Sequence, residues 1–110
     1  MTIAPEALNS LRPFSDKAEI LVGDGREFVL LPGLKVTVND VVHVLDGLLC
    51  PSEIQGYKTR LFLSESILEK AQNWNLFAFF GRTWHAPSWQ GIDASLRLPQ
   101  MLRAHLDAFR

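Results

Sequence analysis

A regular alternation of apolar and polar residues in the middle of the chain constrains the fold more than any other feature. The apolar residues Leu34, Val36 and Val38 are separated by single polar residues. A side-chain period of two places one set of residues on a core face and the other toward water. The pattern therefore predicts a β-strand with one buried face and one solvated face.

Three further segments, each next to turn-forming residues, complete a predicted antiparallel sheet of about four strands. Asn39–Asp40 tolerates positive φ and suits a tight hairpin, and Pro32–Gly33 marks a turn. The chain order predicts a meander, in which consecutive strands are neighbours. The further segments are Arg26–Leu31, Val41–Leu45 and Thr59–Leu63.

Helices are predicted at both ends of the chain. Pro5 suits a first helical position and Pro13 stops the helix that it opens. Near the C-terminus, Leu98, Leu102 and Leu106 form an apolar stripe at helical spacing. The order of a helix, a sheet, an ordered aromatic loop and a helix predicts an α+β fold, with helices against one face of the sheet.

Length and composition exclude several classes of protein. The 110 residues suffice for one domain, residues 1–110, with one core. The formal net charge of −1 lacks the basic excess of a dedicated nucleic-acid binder. Apolar runs fall far below the ~20 residues that a membrane span needs, and no secretory signal is visible. We therefore expect a cytoplasmic protein with no nucleic-acid or membrane partner.

Few residues are candidates for catalysis or for metal binding. The single cysteine, Cys50, excludes an internal disulfide and a cysteine-built zinc site. We favour a buried structural role for it over a reactive thiol. The three histidines lack a metal-ligand spacing, so neither a metal nor a cofactor is expected. We expect His43 on the less buried face of a strand and His105 in solvent, and only His85 is a candidate functional group.

The segment Gly81–Gly91 is predicted to be a loop that is ordered by its own packing. Arg and Trp are enriched at interface hot spots, so Arg82, Trp84 and Trp89 could form a binding patch. Alternatively, the indoles plug the base of the final helix against the sheet. We prefer that second interpretation for Trp89, and both interpretations stay open for Arg82.

The same segment carries two short motifs in a fixed order. Gly81–Trp84 is followed by Ser88–Asp93 and then by the amphipathic helix. Together with Val44–Pro51 and Gly56–Leu63 upstream, these motifs resemble prokaryotic family E of the ubiquitin-conjugating-enzyme-like (UBC-like) superfamily. The resemblance implies a UBC-like fold, which is a four-stranded antiparallel meander with a short N-terminal helix and a C-terminal helix.

The resemblance also implies a role in a bacterial ubiquitin-like system. Its partner would be a ubiquitin-like or multi-ubiquitin-like protein, with an activating-enzyme-like protein as a further candidate. Conjugating enzymes carry a thioester on a cysteine shortly before a helix-leading tryptophan. If Trp89 is that tryptophan, the cysteine belongs near Gly81, where none occurs. We therefore expect a non-catalytic binding protein with these partner contacts: Arg82, Thr83, Trp84, His85 and Ser88.

Two alternatives remain open. In the first, the chain is an active transferase that carries a ubiquitin-like protein as a thioester on Cys50. A hydroxyl near His85 is a poorer acceptor, because it needs that histidine as its base. In the second, the chain is a structural subunit that forms a homo-oligomer, since three tryptophans and an apolar surplus leave room for an exposed patch.

Overall fold

Among the residues that the structure describes, six strands form one antiparallel sheet, and two short helices cover part of one face. The computed structural model describes residues 3–23, 25–38, 40–54, 56–66, 74–87 and 91–107. The strands are β1 (Glu19–Gly23), β2 (Arg26–Val38), β3 (Val41–Cys50), β4 (Arg60–Leu63), β5 (Asn75–Phe79) and β6 (Arg82–Ala86), and the helices are α1 (Pro5–Asn9) and α2 (Leu98–Leu106). Neither helix is long and apolar enough to cross a membrane.

The predicted fold, an α+β UBC-like meander of four strands, is wrong. The strand order in the sheet is β1-β2-β3-β4-β6-β5, so β4 lies beside β6 and not beside β5, which follows it in the chain. Sequence reasoning missed β1, because its run of Ile20–Val22 does not alternate. It read β6 as part of a loop, because Gly81 and Pro87 flank this short strand.

The longest strand, β2, contains a bulge at Pro32–Gly33, where the sequence predicted a turn. Between Leu31 and Leu34, two residues of β2 lie opposite a single residue of β3. The extra residue reverses the alternation of side chains. Leu31 and Leu34 therefore both face the same hydrophobic cluster, and β2 continues as one strand through the bulge.

The described residues form two hydrophobic clusters, which lie on opposite faces of the sheet. Neighbouring residues of β4 show the division, because Leu61 and Leu63 belong to the first cluster and Phe62 to the second. Both helices pack against the first cluster. The second cluster consists of Phe28, Leu48, Cys50, Ile54, Phe62, Trp84 and Ala86.

The ends of the two edge strands meet and close the second cluster. The ring of Phe80, in the turn after β5, lies edge-on to the ring of Phe28, with 5.4 Å between centroids. Gly23, at the end of β1, lies so close that an added Cβ atom would be 3.0 Å from the ring of Phe80. Phe80 has a φ of 53°, which is unusual for a bulky residue. Phe80 is the first of two residues that join the paired residues Phe79 and Arg82, and a type I′ turn at this place requires a positive φ.

The expectation that His105 is solvated is wrong. His105 is 4% exposed and belongs to the buried face of α2. It lies seven residues after Leu98, which is two helical turns, and therefore on the same stripe.

Candidate protein-binding surface

β6 places the predicted partner-binding residues on two faces of the sheet. Arg82 and Trp84 lie on the side of the second cluster, whereas Thr83 and His85 lie on the other side. This division follows from the alternation of side chains along a strand. The four residues therefore do not form one patch, and Ser88 lies outside the described residues.

Arg82 is held by an ion pair and by an indole ring. Its Nη1 lies 3.1 Å from Oδ2 of Asp46 on β3, and its guanidinium carbon lies 4.6 Å from the ring centroid of Trp84. The other carboxylate oxygen of Asp46 accepts a hydrogen bond of 3.1 Å from the N–H of Gly33 in the bulge. The side chains of Arg82 and Asp46 are both partly exposed, so a partner can reach this pair.

Trp84 is a core residue. It is buried in the second cluster, and its Nε1–H donates a hydrogen bond of 3.2 Å to the carbonyl oxygen of Phe79. A buried indole needs such a partner for its N–H. The ring of Trp84 thus packs against the guanidinium of Arg82. Because Trp84 is buried, it cannot contact a partner directly.

Cys50 lies at the end of β3 and is fully buried in the second cluster. Its Sγ lies 3.4 Å from the carbonyl oxygen of Ser52. Burial raises the pKa of the Cys50 thiol above its ordinary value, although the contacts with Ser52 and the charge of Arg26 act in the opposite direction. Reactive cysteines are accessible and have a lowered pKa, so this environment suits a structural thiol.

An exposed apolar surface lies on the arm formed by β2 and β3 beyond the bulge. Val42 and Val44 are 55% and 63% exposed and pair across the ladder with Thr37 and Lys35. Residues that face each other across an antiparallel pair share one side of the sheet. We name these four residues the valine face.

The Arg82–Asp46 pair borders the valine face. Asp46 lies two residues after Val44 on β3 and therefore on the same side of the sheet. Leu48, a further two residues along, belongs to the second cluster. The valine face thus continues the buried side of the sheet into solvent, and Arg82 stands at the boundary.

Sequence reasoning missed the valine face, because Val41–Leu45 reads as an apolar run typical of a buried strand. Only Leu45 of that run is buried. The signal lay on the neighbouring strand, where Lys35 and Thr37 mark the solvated side of β2. The residues of β3 that pair with them had to be solvated as well.

Thr59, a buried polar residue just before β4, joins this end of the strand to α2. The hydroxyl of Thr59 donates a 2.9 Å hydrogen bond to the carbonyl oxygen of Ile92, and its Oγ1 lies 2.9 Å from Nε2 of His105. With its proton given to Ile92, Thr59 accepts from His105. Burial, aided by the nearby charge of Arg60, lowers the pKa of His105 to about 4. The imidazole is thus neutral at neutral pH and acts as a structural donor.

Comparisons with models of protein families, with curated proteins and with solved structures find no match. The resemblance to the UBC-like family therefore rests on the short sequence motifs alone. Within the described part of the chain, no three His, Cys, Asp or Glu side chains are grouped so that they could hold a metal ion.

Proposed function

We propose that the chain is a non-catalytic protein-binding module that contacts its partner through the valine face and Arg82. The observation that carries the proposal is the exposure of Val42 and Val44 side by side with a partly exposed ion pair. An apolar centre with a polar rim is the usual anatomy of a protein interface, and arginine is enriched there.

The sequence motifs suggest the first partner to test. A ubiquitin-like or multi-ubiquitin-like protein is the partner that the resemblance implies, and an activating-enzyme-like protein is the second. A bacterial, cytoplasmic setting belongs to the same proposal and comes from the sequence alone. An apolar patch on the partner would cover the two valines, and polar groups would meet Lys35 and the Arg82–Asp46 pair.

The proposal is tested by measuring affinity for a ubiquitin-like protein of the same organism by calorimetry. Val44→Asp places a charge at the centre of the valine face. It should weaken binding about tenfold or more, because a partner that covers the face would desolvate the carboxylate. Val22→Asp is the matched control, since Val22 is 70% exposed on β1, outside this face.

The control variant should bind like the parent chain. Equal losses in both variants, or no loss in Val44→Asp, would show that the valine face is not the contact. No binding of the parent chain to any ubiquitin-like protein tested would remove the partner class and leave the surface to be assigned to another protein.

The burial of Cys50 weighs against the transferase alternative. A thioester on this sulfur would require the end of β3 to open, because the thiol is fully enclosed in the second cluster. We expect an aromatic disulfide reagent to label Cys50 at least about a hundredfold more slowly in the folded protein than in denaturant. Fast labelling of the folded protein, together with an adduct that Cys50→Ser abolishes, would restore the transferase.

A further inference from the structure

In the sheet that the described residues form, β5 is an edge strand, and its own sequence lacks the residues that usually protect an edge against pairing. In the part of the chain that the structure describes, β5 pairs with β6 alone. Asn75–Phe79 contains no charged residue and no proline, and Leu76 is 67% exposed. Natural edge strands are commonly protected by charged residues, proline or bulges. The other edge strand, β1, differs because it begins with Glu19 and ends beneath the ring of Phe80.

The turn between β5 and β6 determines which main-chain groups point to the open edge. Phe80 and Gly81 both have positive φ, 53° and 73°, and they join the paired residues Phe79 and Arg82. This is a two-residue turn of type I′, in which the flanking residues exchange both hydrogen bonds. Hydrogen bonding alternates along an antiparallel ladder. The N–H and C=O groups of Leu76 and Ala78 therefore point away from β6.

We propose that β5 pairs with β5 of a second copy of this chain and forms a continuous sheet across a two-fold axis. An axis through Phe77 places Leu76 opposite Ala78 of the second copy, and Ala78 opposite Leu76. The two pairs make four main-chain hydrogen bonds, because each hydrogen-bonded pair of an antiparallel ladder exchanges two.

The chemistry of β5 favours a second copy as the occupant. In a two-fold pair, every charge on an edge strand meets its own sign nearby, and like charges that face each other destabilise a sheet. An edge with no charge avoids this cost. Leu76 and Ala78 lie on one side of the sheet, since they pair with His85 and Thr83. They would form an apolar strip that is continuous across the two copies. This inference is independent of the valine face and of its partner.

The test is the mass of the full chain in solution, measured by light scattering and sedimentation over a roughly hundredfold range of concentration. We expect a reversible dimer in the parent chain. Leu76→Lys should weaken dimerisation about tenfold or more, because the two lysines lie near each other across the axis. Val22→Lys introduces the same charge at a similarly exposed position on β1 and should leave the dimer intact.

A second variant tests the main-chain pairing. Ala78→Pro removes an N–H that points to the open edge, and proline is tolerated in edge strands when its position faces solvent. It should abolish the dimer while circular dichroism stays that of the parent chain. Mixing Leu76→Lys with Leu76→Glu should restore a dimer of the two variants, which an unfolded variant could not do.

Two results would overturn the inference. One is a strict monomer over the whole concentration range. The other is a dimer that tolerates both Leu76→Lys and Ala78→Pro, because such a dimer would use another surface.

Discussion

Arg82 and Trp84 are two residues apart on one strand, and we expect their removal to have different effects. Trp84→Ala empties a buried site in the second cluster and should lower the free energy of unfolding by about 3–5 kcal/mol. Arg82→Ala removes a partly exposed ion pair and should cost about 1 kcal/mol or less. Urea denaturation of both variants measures the difference. Equal losses of unfolding free energy in the two variants would contradict the burial of Trp84. If Trp84→Ala alone loses affinity for the partner, the cause is unfolding of the variant and not the loss of a contact.

His105 gives the stability a defined dependence on pH. Its pKa of about 4 in the folded protein lies below the ordinary value of 6.5. Below about pH 6.5 the imidazole of residue 105 is therefore protonated in the unfolded chain, whereas in the folded protein it stays neutral until about pH 4. The free energy of unfolding should fall across this window as pH decreases, by roughly 3 kcal/mol in total. Denaturation midpoints between pH 7 and pH 4 measure the fall.

His105→Gln is the matched control for this dependence. Glutamine offers an amide N–H to Thr59 but does not titrate, so the variant should lose stability at neutral pH and show a flatter fall toward pH 4. The two proteins differ only at residue 105, so the difference between their curves isolates the contribution of His105. Parallel curves for the two proteins would show that His105 is not the group responsible.

At the residue scale, burial could be predicted where a residue falls on an apolar stripe. His105 lies on the stripe of Leu98 and Leu102. Its helical spacing therefore predicted burial, although its polarity favoured exposure to solvent. The setting of Arg82 could not be read in the same way. Its partner Asp46 lies 36 positions away in the chain, and only the order of the strands brings the two together.

At the element scale, the bulge in β2 sets which side chains are buried along the rest of the strand. Deleting Gly33 would remove the extra residue and turn Lys35 and Thr37 toward the first cluster. We expect this deletion to unfold the protein. Gly33→Ala keeps the residue count and should cost only about 1 kcal/mol, because alanine is strained at a φ of 66°.

Circular dichroism and urea denaturation of the two variants distinguish their effects. A folded deletion variant would mean that β2 can shift its register against β3. Equal losses in both variants would show that the conformation of Gly33 matters more than the residue count.

The elements themselves were partly predictable. The alternation in Leu34–Val38 identified the second half of β2, whereas the turn predicted at Pro32–Gly33 is a bulge within the strand. The sequence could not say that the strand continues through it, because Pro and Gly mark a bulge and a turn alike. The five residues of β6 contain one large apolar side chain, Trp84, and a single residue shows no period.

At the scale of the whole molecule, the β5–β6 hairpin is joined to the sheet by a short ladder. The described residues show one register pair between β4 and β6, Leu63 with His85, whereas eight join β2 to β3. We expect native-state hydrogen exchange to show lower opening free energies for amides of β5 and β6 than for those of β2 and β3. Uniform protection would show that side-chain packing in the second cluster joins the hairpin as firmly as a ladder does.

The order of the strands in the sheet could not be predicted from the sequence. A meander is the simplest arrangement for strands joined by short connections, and the UBC-like resemblance implied the same arrangement. The structure departs from it where β6 lies between β4 and β5. The order β4-β6-β5 is accompanied by contacts of Phe62 with Phe77 and Phe79. These contacts join distant parts of the chain, which sequence patterns do not show.

The placement of β6 between β4 and β5 has a consequence for synthesis on the ribosome. The edge of β4 can pair once Leu63 has emerged. The next strand to emerge is β5, but the native neighbour of β4 is β6. Pairing of β4 with β5 at this stage would trap a misfolded chain. The tight turn at Phe80–Gly81 limits the time available for this error, because β6 follows β5 after only two residues and short hairpins form within microseconds once both strands have emerged. We expect β5 to pair with β6 at that point, so that the two dock on β4 as one unit.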